Sequence, residues 1–158
     1  LNEISEKYSF QLTIVGDQNK KKIISNFKIN NIGFVSVEKK LSKIFNKHDA
    51  LLLPSDLDNF PNVGIEALAS GLPLITLKNN GINEVLKEGF NGYILKKLDK
   101  SSLSTCFEKI ILSKTKNTTK KISEDIYKTA CYDSVSKKLI NIYEKILINE
   151  NKHCSSNL

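Results

Sequence analysis

Two short runs dominated by leucine and isoleucine, 50–53 and 74–77, flank a helix-forming stretch, and this arrangement limits the fold more than any other part of the chain. Strands this apolar belong in the interior of a sheet, and a helix between them makes the connection a parallel crossover. Pro54, Ser55 and Asp56 stop the first run. Asp58 and Asn59 are good N-cap residues, Pro61 suits a first helical turn, and Val63, Ile65, Ala67, Leu68 and Ala69 supply an apolar body before Gly71 ends the helix. Pro73 then opens the second strand.

The same alternation runs through most of the chain. Residues 10–15 read as a strand, followed by a turn at 16–19 and a helix over about 20–27. Residues 30–36 hold the next strand, and an amphipathic helix over about 38–46 turns Leu41, Ile44 and Phe45 inward. After the second apolar run, Asn79-Asn80-Gly81 leads into a short helix ending at Gly89, and 92–95 is a last strand. Three helices finish the chain, over about 101–112, 119–128 and 134–149, with 113–120 the only linker-like segment. Strands alternating with helices imply an α/β fold, a Rossmann-like doubly wound parallel sheet with helices on both faces and ligands at the carboxyl ends of the strands. At 158 residues the chain is long enough for one domain with a real core, placed at 1–150 and followed by a polar tail over 151–158.

Chemistry concentrates in the first crossover. Asp58 and Glu66 have seven residues between them, one just outside the helix N-terminus and the other about one and a half turns inside it, so both carboxylates can border one crevice. The backbone N–H groups between them, roughly 60–64, favour an anion by hydrogen bonding and by the helix dipole. A diphosphate suits that position, with a carboxylate on each side to accept bonds from sugar hydroxyls.

These residues resemble the donor-binding, C-terminal half of the family 4, or group 1, retaining glycosyltransferases of the GT-B fold. The family signature runs proline, serine, two spacers, glutamate, glycine, phenylalanine, then a helix with a second glutamate eight positions after the first. Pro54, Ser55, Phe60, Glu66, Ala67, Ala69, Gly71 and Pro73 match it, as do Gly81, Glu84, Gly89, Asn91 and Gly92. The resemblance extends from Leu12 to about Leu147, with two departures: Asp58 replaces the first glutamate, and Asn80 replaces the first glycine of a Gly-Gly pair.

The resemblance implies a glycosyl transfer from a UDP- or GDP-linked sugar with retention, no cofactor and no required metal. Asp58 and Glu66 take the catalytic places, Asp58 at the donor sugar and Glu66 at the ribose. Asn59, Phe60, Asn62 and Val63 lie at phosphate and sugar, Gly16 lets backbone approach the donor, Phe34 and Val35 grip the base, and Asn80, Gly81 and Glu84 form the loop beside diphosphate and sugar. Read without the family, Glu66 is a surface carboxylate, Asp58 an N-cap, Gly16 a turn glycine, Phe34 and Val35 core residues, and Asn80 a helix cap. In the family a strand, a basic diphosphate-binding motif and a helix precede the position of Leu12, and Rossmann-like order puts that strand between those beginning near Phe10 and Ala50. The expectation is therefore a domain lacking its central first strand. Its parent adds an N-terminal domain for a saccharide or lipid-linked acceptor, and this piece alone performs no transfer.

A net charge of +7 invites a nucleic-acid partner, yet all 24 basic residues are lysine. Nucleic-acid surfaces usually use the planar fork of arginine, and abundant Lys, Asn and Ile are what an AT-rich bacterial genome encodes, so no nucleic acid is expected. Cys106, Cys131 and Cys154 lack metal spacing and suit a reducing, cytoplasmic setting, with peripheral contact at the inner face of the cell membrane a further expectation for the parent. His48, at a helix end, reads as a cap. Two other readings stay open: a sugar-nucleotide epimerase of related fold, and a non-catalytic nucleotide-sugar-binding module.

Overall fold

The computed structural model describes residues 1–16, 25–113 and 115–155. Its elements are α1 (Asn2–Ser5), β1 (Gln11–Val15), β2 (Lys28–Gly33), α2 (Glu38–Phe45), β3 (Leu51–Leu53), α3 (Asn62–Ala69), β4 (Leu74–Leu77), a 3₁₀ turn (Gly81–Val85), β5 (Gly92–Leu95), α4 (Lys100–Ser113), α5 (Lys116–Ala130) and α6 (Tyr132–Ser155). All strand pairs are parallel. β3, β4 and β5 form one sheet in that order, with Leu51 opposite Leu74 and Leu74 opposite Gly92. β1 pairs with β2 in a second sheet, with Gln11 opposite Lys28 and a register shift after Ile14.

β4 is the centre of the larger sheet, and all four of its residues are buried. Its alternating side chains feed two cores. Leu74 faces Phe45 of α2, Ala67 and Leu68 of α3, and Ile122 and Ile126 of α5. Ile75 and Leu77 face Tyr93 and Leu95 of β5, Leu103, Cys106 and Ile110 of α4, and Ile4 of α1. Helices therefore cover both faces, which is the reason the strands carry so few polar residues. Buried Asn91 sets the entry to β5: its Oδ1 accepts from Lys87 N at 2.6 Å and its Nδ2 donates to Val85 O at 3.1 Å.

Among the described residues β1 has backbone partners only in the β2 segment, so the two sheets meet through side chains. Phe10 stacks 4.6 Å from Phe27 and 5.9 Å from Phe107 of α4, and Tyr8 and Phe10 pack against the Ile75 core. The His48 ring adds a polar link, lying 2.6 Å from Ile44 O and 2.7 Å from Thr13 Oγ1 of β1. It does cap α2, but half-buried rather than on the surface. The separation of β1 from β3 agrees with the expected strand order, in which these two strands are not neighbours.

Several boundaries differ from those read in the sequence. β2 begins at Lys28 and stops at Gly33, which leaves Phe34 and Val35 in a loop. α3 starts at Asn62 with Pro61 as N-cap, not at Asp58 or Asn59. α5 begins at Lys116 because the Thr115 hydroxyl caps Thr118 N, which shortens the linker-like stretch, and α6 continues to Ser155. The expected helix over 20–27 falls largely outside the described residues. No helix among them is long and apolar enough to cross a membrane.

Candidate functional site

The loops that leave the carboxyl ends of β3 and β4 are joined by backbone. After β3 the chain bends at 56–57 before Asp58, which forms an isolated parallel bridge with Asn80, and Gly81 N donates to Asp58 O at 2.9 Å. Asn79 Nδ2 reaches Asp56 Oδ1 at 3.4 Å. This pairing is why α3 starts late: Asp58 is held in extended geometry by a partner 22 positions downstream and cannot cap the helix. Pro61, at φ −68° and ψ 117°, then begins the turn without a side-chain cap.

An uncapped start has an electrostatic consequence. Gly64 N is satisfied by Pro61 O at 2.9 Å, while the N–H groups of Phe60, Asn62 and Val63 have no acceptor among the described residues. No acidic residue sits in the first turn. The positive end of the α3 dipole is thus uncompensated and open to an anion. Phe60 is exposed beside it, and Glu66, one turn further in, is exposed with no side-chain partner among the described residues.

The facing turn is more rigid. Asn80 N donates to Leu77 O at 3.2 Å, and Asn80 Oδ1 caps the 3₁₀ turn by accepting from Ile82 N at 3.2 Å. Asn83 locks the same turn from below. Its Nδ2 donates to Leu77 O at 2.8 Å and Lys78 O at 3.0 Å, and its Oδ1 accepts from Thr76 Oγ1 at 2.6 Å. Asn83 carries no signal in the sequence beyond an amide in a turn. Glu84 follows, exposed.

The structure therefore brings together Asp58, Asn59, Asn80 and Gly81, with Phe60, Asn62, Val63 and Glu66 on the continuing segment. Gly16, Phe34 and Val35 belong to the other sheet, where Gly16 N donates to Gly33 O at 2.9 Å. Phe34 is 70% exposed, which removes the reading of it as core. A cavity of about 70 Å³ lined by Phe45, His48, Gly71 and Thr119 lies at the opposite, amino ends of β3 and β4 and does not belong to these loops. Of the cysteines, Cys106 is buried and its thiol pushed up by desolvation, whereas Cys131 is drawn down by the Ser134 hydroxyl. Among the described residues no three His, Cys, Asp or Glu side chains could hold a metal ion.

The family pattern described as glycosyl transferases group 1 matches residues 1–129. An uncharacterized glycosyltransferase of Methanocaldococcus jannaschii is 23% identical over 155 residues, covering 90% of this chain and 39% of that protein. In three dimensions the chain superposes on a sucrose-phosphate synthase from Thermosynechococcus elongatus with a TM-score of 0.68 at 16% identity, over 88% of this chain and 39% of that one. It also superposes on Anabaena HepE in complex with UDP-glucose, with a TM-score of 0.61 at 16% identity, over 76% of this chain and 33% of that one. The chain thus spans about two-fifths of the length of that curated relative.

Proposed function

The chain belongs to the glycosyl transferases group 1 family and has the fold of its C-terminal, GT-B-type domain, and from that premise we propose that it binds a nucleoside diphosphate sugar as the donor for glycosyl transfer. The observation that carries this reading is the uncapped N-terminus of α3, with three unpartnered N–H groups, in the same loop cluster as exposed Asp58, Glu66 and Glu84. A diphosphate held there would be stabilised by donors that need no rearrangement as charge develops on the leaving group. The fold likeness to HepE, whose complex contains UDP-glucose, supports a UDP-linked donor within the UDP or GDP class.

In this reading Glu66 accepts from the ribose hydroxyls and Asp58 from the sugar. Asn59, Phe60, Asn62 and Val63 surround the diphosphate, Asn80, Gly81 and Glu84 close the other side, and the base lies toward Phe34 and Val35, with Gly16 beside the nucleotide. Transfer proceeds with retention, to a saccharide or lipid-linked acceptor bound by a further domain. The expected result for Glu66→Ala in the full-length protein is a loss of about 1.5–3 kcal/mol of nucleoside diphosphate affinity, the worth of hydrogen bonds to a charged group. Titration calorimetry measures it, and an unchanged affinity with the fold intact removes Glu66 from the ribose.

A further inference from the structure

The two positions at which this chain departs from its family's pattern, Asp58 for glutamate and Asn80 for glycine, are paired with each other across the bridge that joins the two site loops. Residues paired on adjacent strands are about 4.8 Å apart and project to the same face. Asn80 is 3% exposed, and its Nδ2 is the one buried side-chain polar atom without a hydrogen-bond partner among the described residues. The other end of its amide is committed, since Oδ1 accepts from Ile82 N at 3.2 Å, so the orientation is fixed and the donor end is the free one. Opposite it, the exposed Asp58 carboxylate has no partner among the described residues either. A buried donor without an acceptor weakens a fold, and a carboxylate on the bridged residue is a strong acceptor for it.

We infer that Asp58 and Asn80 are a matched pair: when a nucleotide sugar occupies the site, Asn80 Nδ2 donates to the Asp58 carboxylate and holds this shorter side chain against the sugar hydroxyls. Asn80 is thereby a positioning residue, supplying by an anchored carboxylate the reach that a longer glutamate has alone. The inference rests on the glycosyltransferase reading of the site.

The test is a mutant cycle in the full-length protein with Asp58→Glu, Asn80→Gly, their double variant, and Asn80→Asp, which retains an oxygen to cap Ile82 N but removes the donor. Calorimetry is run with the nucleotide sugar that wild type binds best among UDP- and GDP-linked sugars, and with its nucleoside diphosphate. Asn80→Gly and Asn80→Asp are each expected to weaken the nucleotide sugar by about tenfold, a step of 1.4 kcal/mol, and the diphosphate by less than about twofold, while Asp58→Glu, whose longer side chain reaches without Asn80, stays within about threefold. The double variant recovers to within about threefold of wild type, because neighbouring sites couple. Additive losses in the double variant, or equal losses for sugar and diphosphate, overturn the pair while leaving the donor site standing. Failure of folded wild type to bind any nucleotide sugar overturns the donor site and the pair with it.

Discussion

Gly71→Ala is expected to lower the unfolding free energy by about 3–4 kcal/mol, a large share of the 5–15 kcal/mol typical of a folded domain. Gly71 follows α3 at φ 77°, a left-handed conformation that costs a residue with a Cβ about 1 kcal/mol or more. Space decides the rest. A Cβ there would stand 2.4 Å from both Thr119 Cγ2 and Thr119 O of α5, and the carbonyl is backbone that no rotamer change can clear. The contact lies where α3 and α5 pack, with Ser123 Oγ donating to Ala69 O at 2.5 Å, so relief would open the core holding Leu68, Ile122 and Ile126. Urea unfolding would show the midpoint falling with the slope unchanged. A loss under about 1 kcal/mol would mean that α5 sits further from α3 than the structure has it.

The second large effect is expected on ligand binding. In Gly81→Ala the new Cβ would meet Asn59 O at 1.5 Å and Asn59 C at 2.6 Å, which is impossible unless the two loops separate. Separation breaks the bond from Gly81 N to Asp58 O and carries Asp58 and the N–H groups that follow it out of register with Asn80 and Glu84. A misplacement of about 1 Å at a reacting site costs on the order of a hundredfold, so donor affinity and kcat/KM should fall at least that far while helix content is kept. Unchanged donor binding would place the ligand elsewhere on the molecule.

The parts of the fold that depend on local chemistry were legible in the sequence. β4 and β5 lie at the expected residues because Pro73 and Gly92 mark their starts, and burial on both faces left few polar residues to confuse the pattern. The family's sequence pattern similarly located the loops around 58 and 80. What failed was anything decided by a distant partner. Asp58 has every local qualification for an N-cap, and its bridge to Asn80 overrides them. Asn80 does cap a turn, as its residue type suggests, but that it is buried, paired with Asp58 and left with a free donor is not written in any window around it. Phe34 reads as core by composition and stands in solvent because β2 ends one residue earlier. The extra length of α6 was missed because its polar end lacks the packing face that marks a helix in sequence.

The side-chain seam between the two sheets puts the proposed site under a population constraint. Gly16, Phe34 and Val35 ride on the β1–β2 ribbon, whereas the residues proposed to face the diphosphate ride on the loops after β3 and β4, and no backbone ladder among the described residues ties one to the other. A two-stranded ribbon is marginal by itself. A nucleotide spanning both parts would meet a complete pocket only in the fraction of molecules whose ribbon is docked, and its apparent affinity would be the intrinsic one reduced by that fraction. The same ligand would then act as the missing fastener, holding the ribbon closed in proportion to how far its concentration exceeds the dissociation constant. Substitutions at Phe10 or His48, which touch no candidate ligand group, would reach the site through this equilibrium alone.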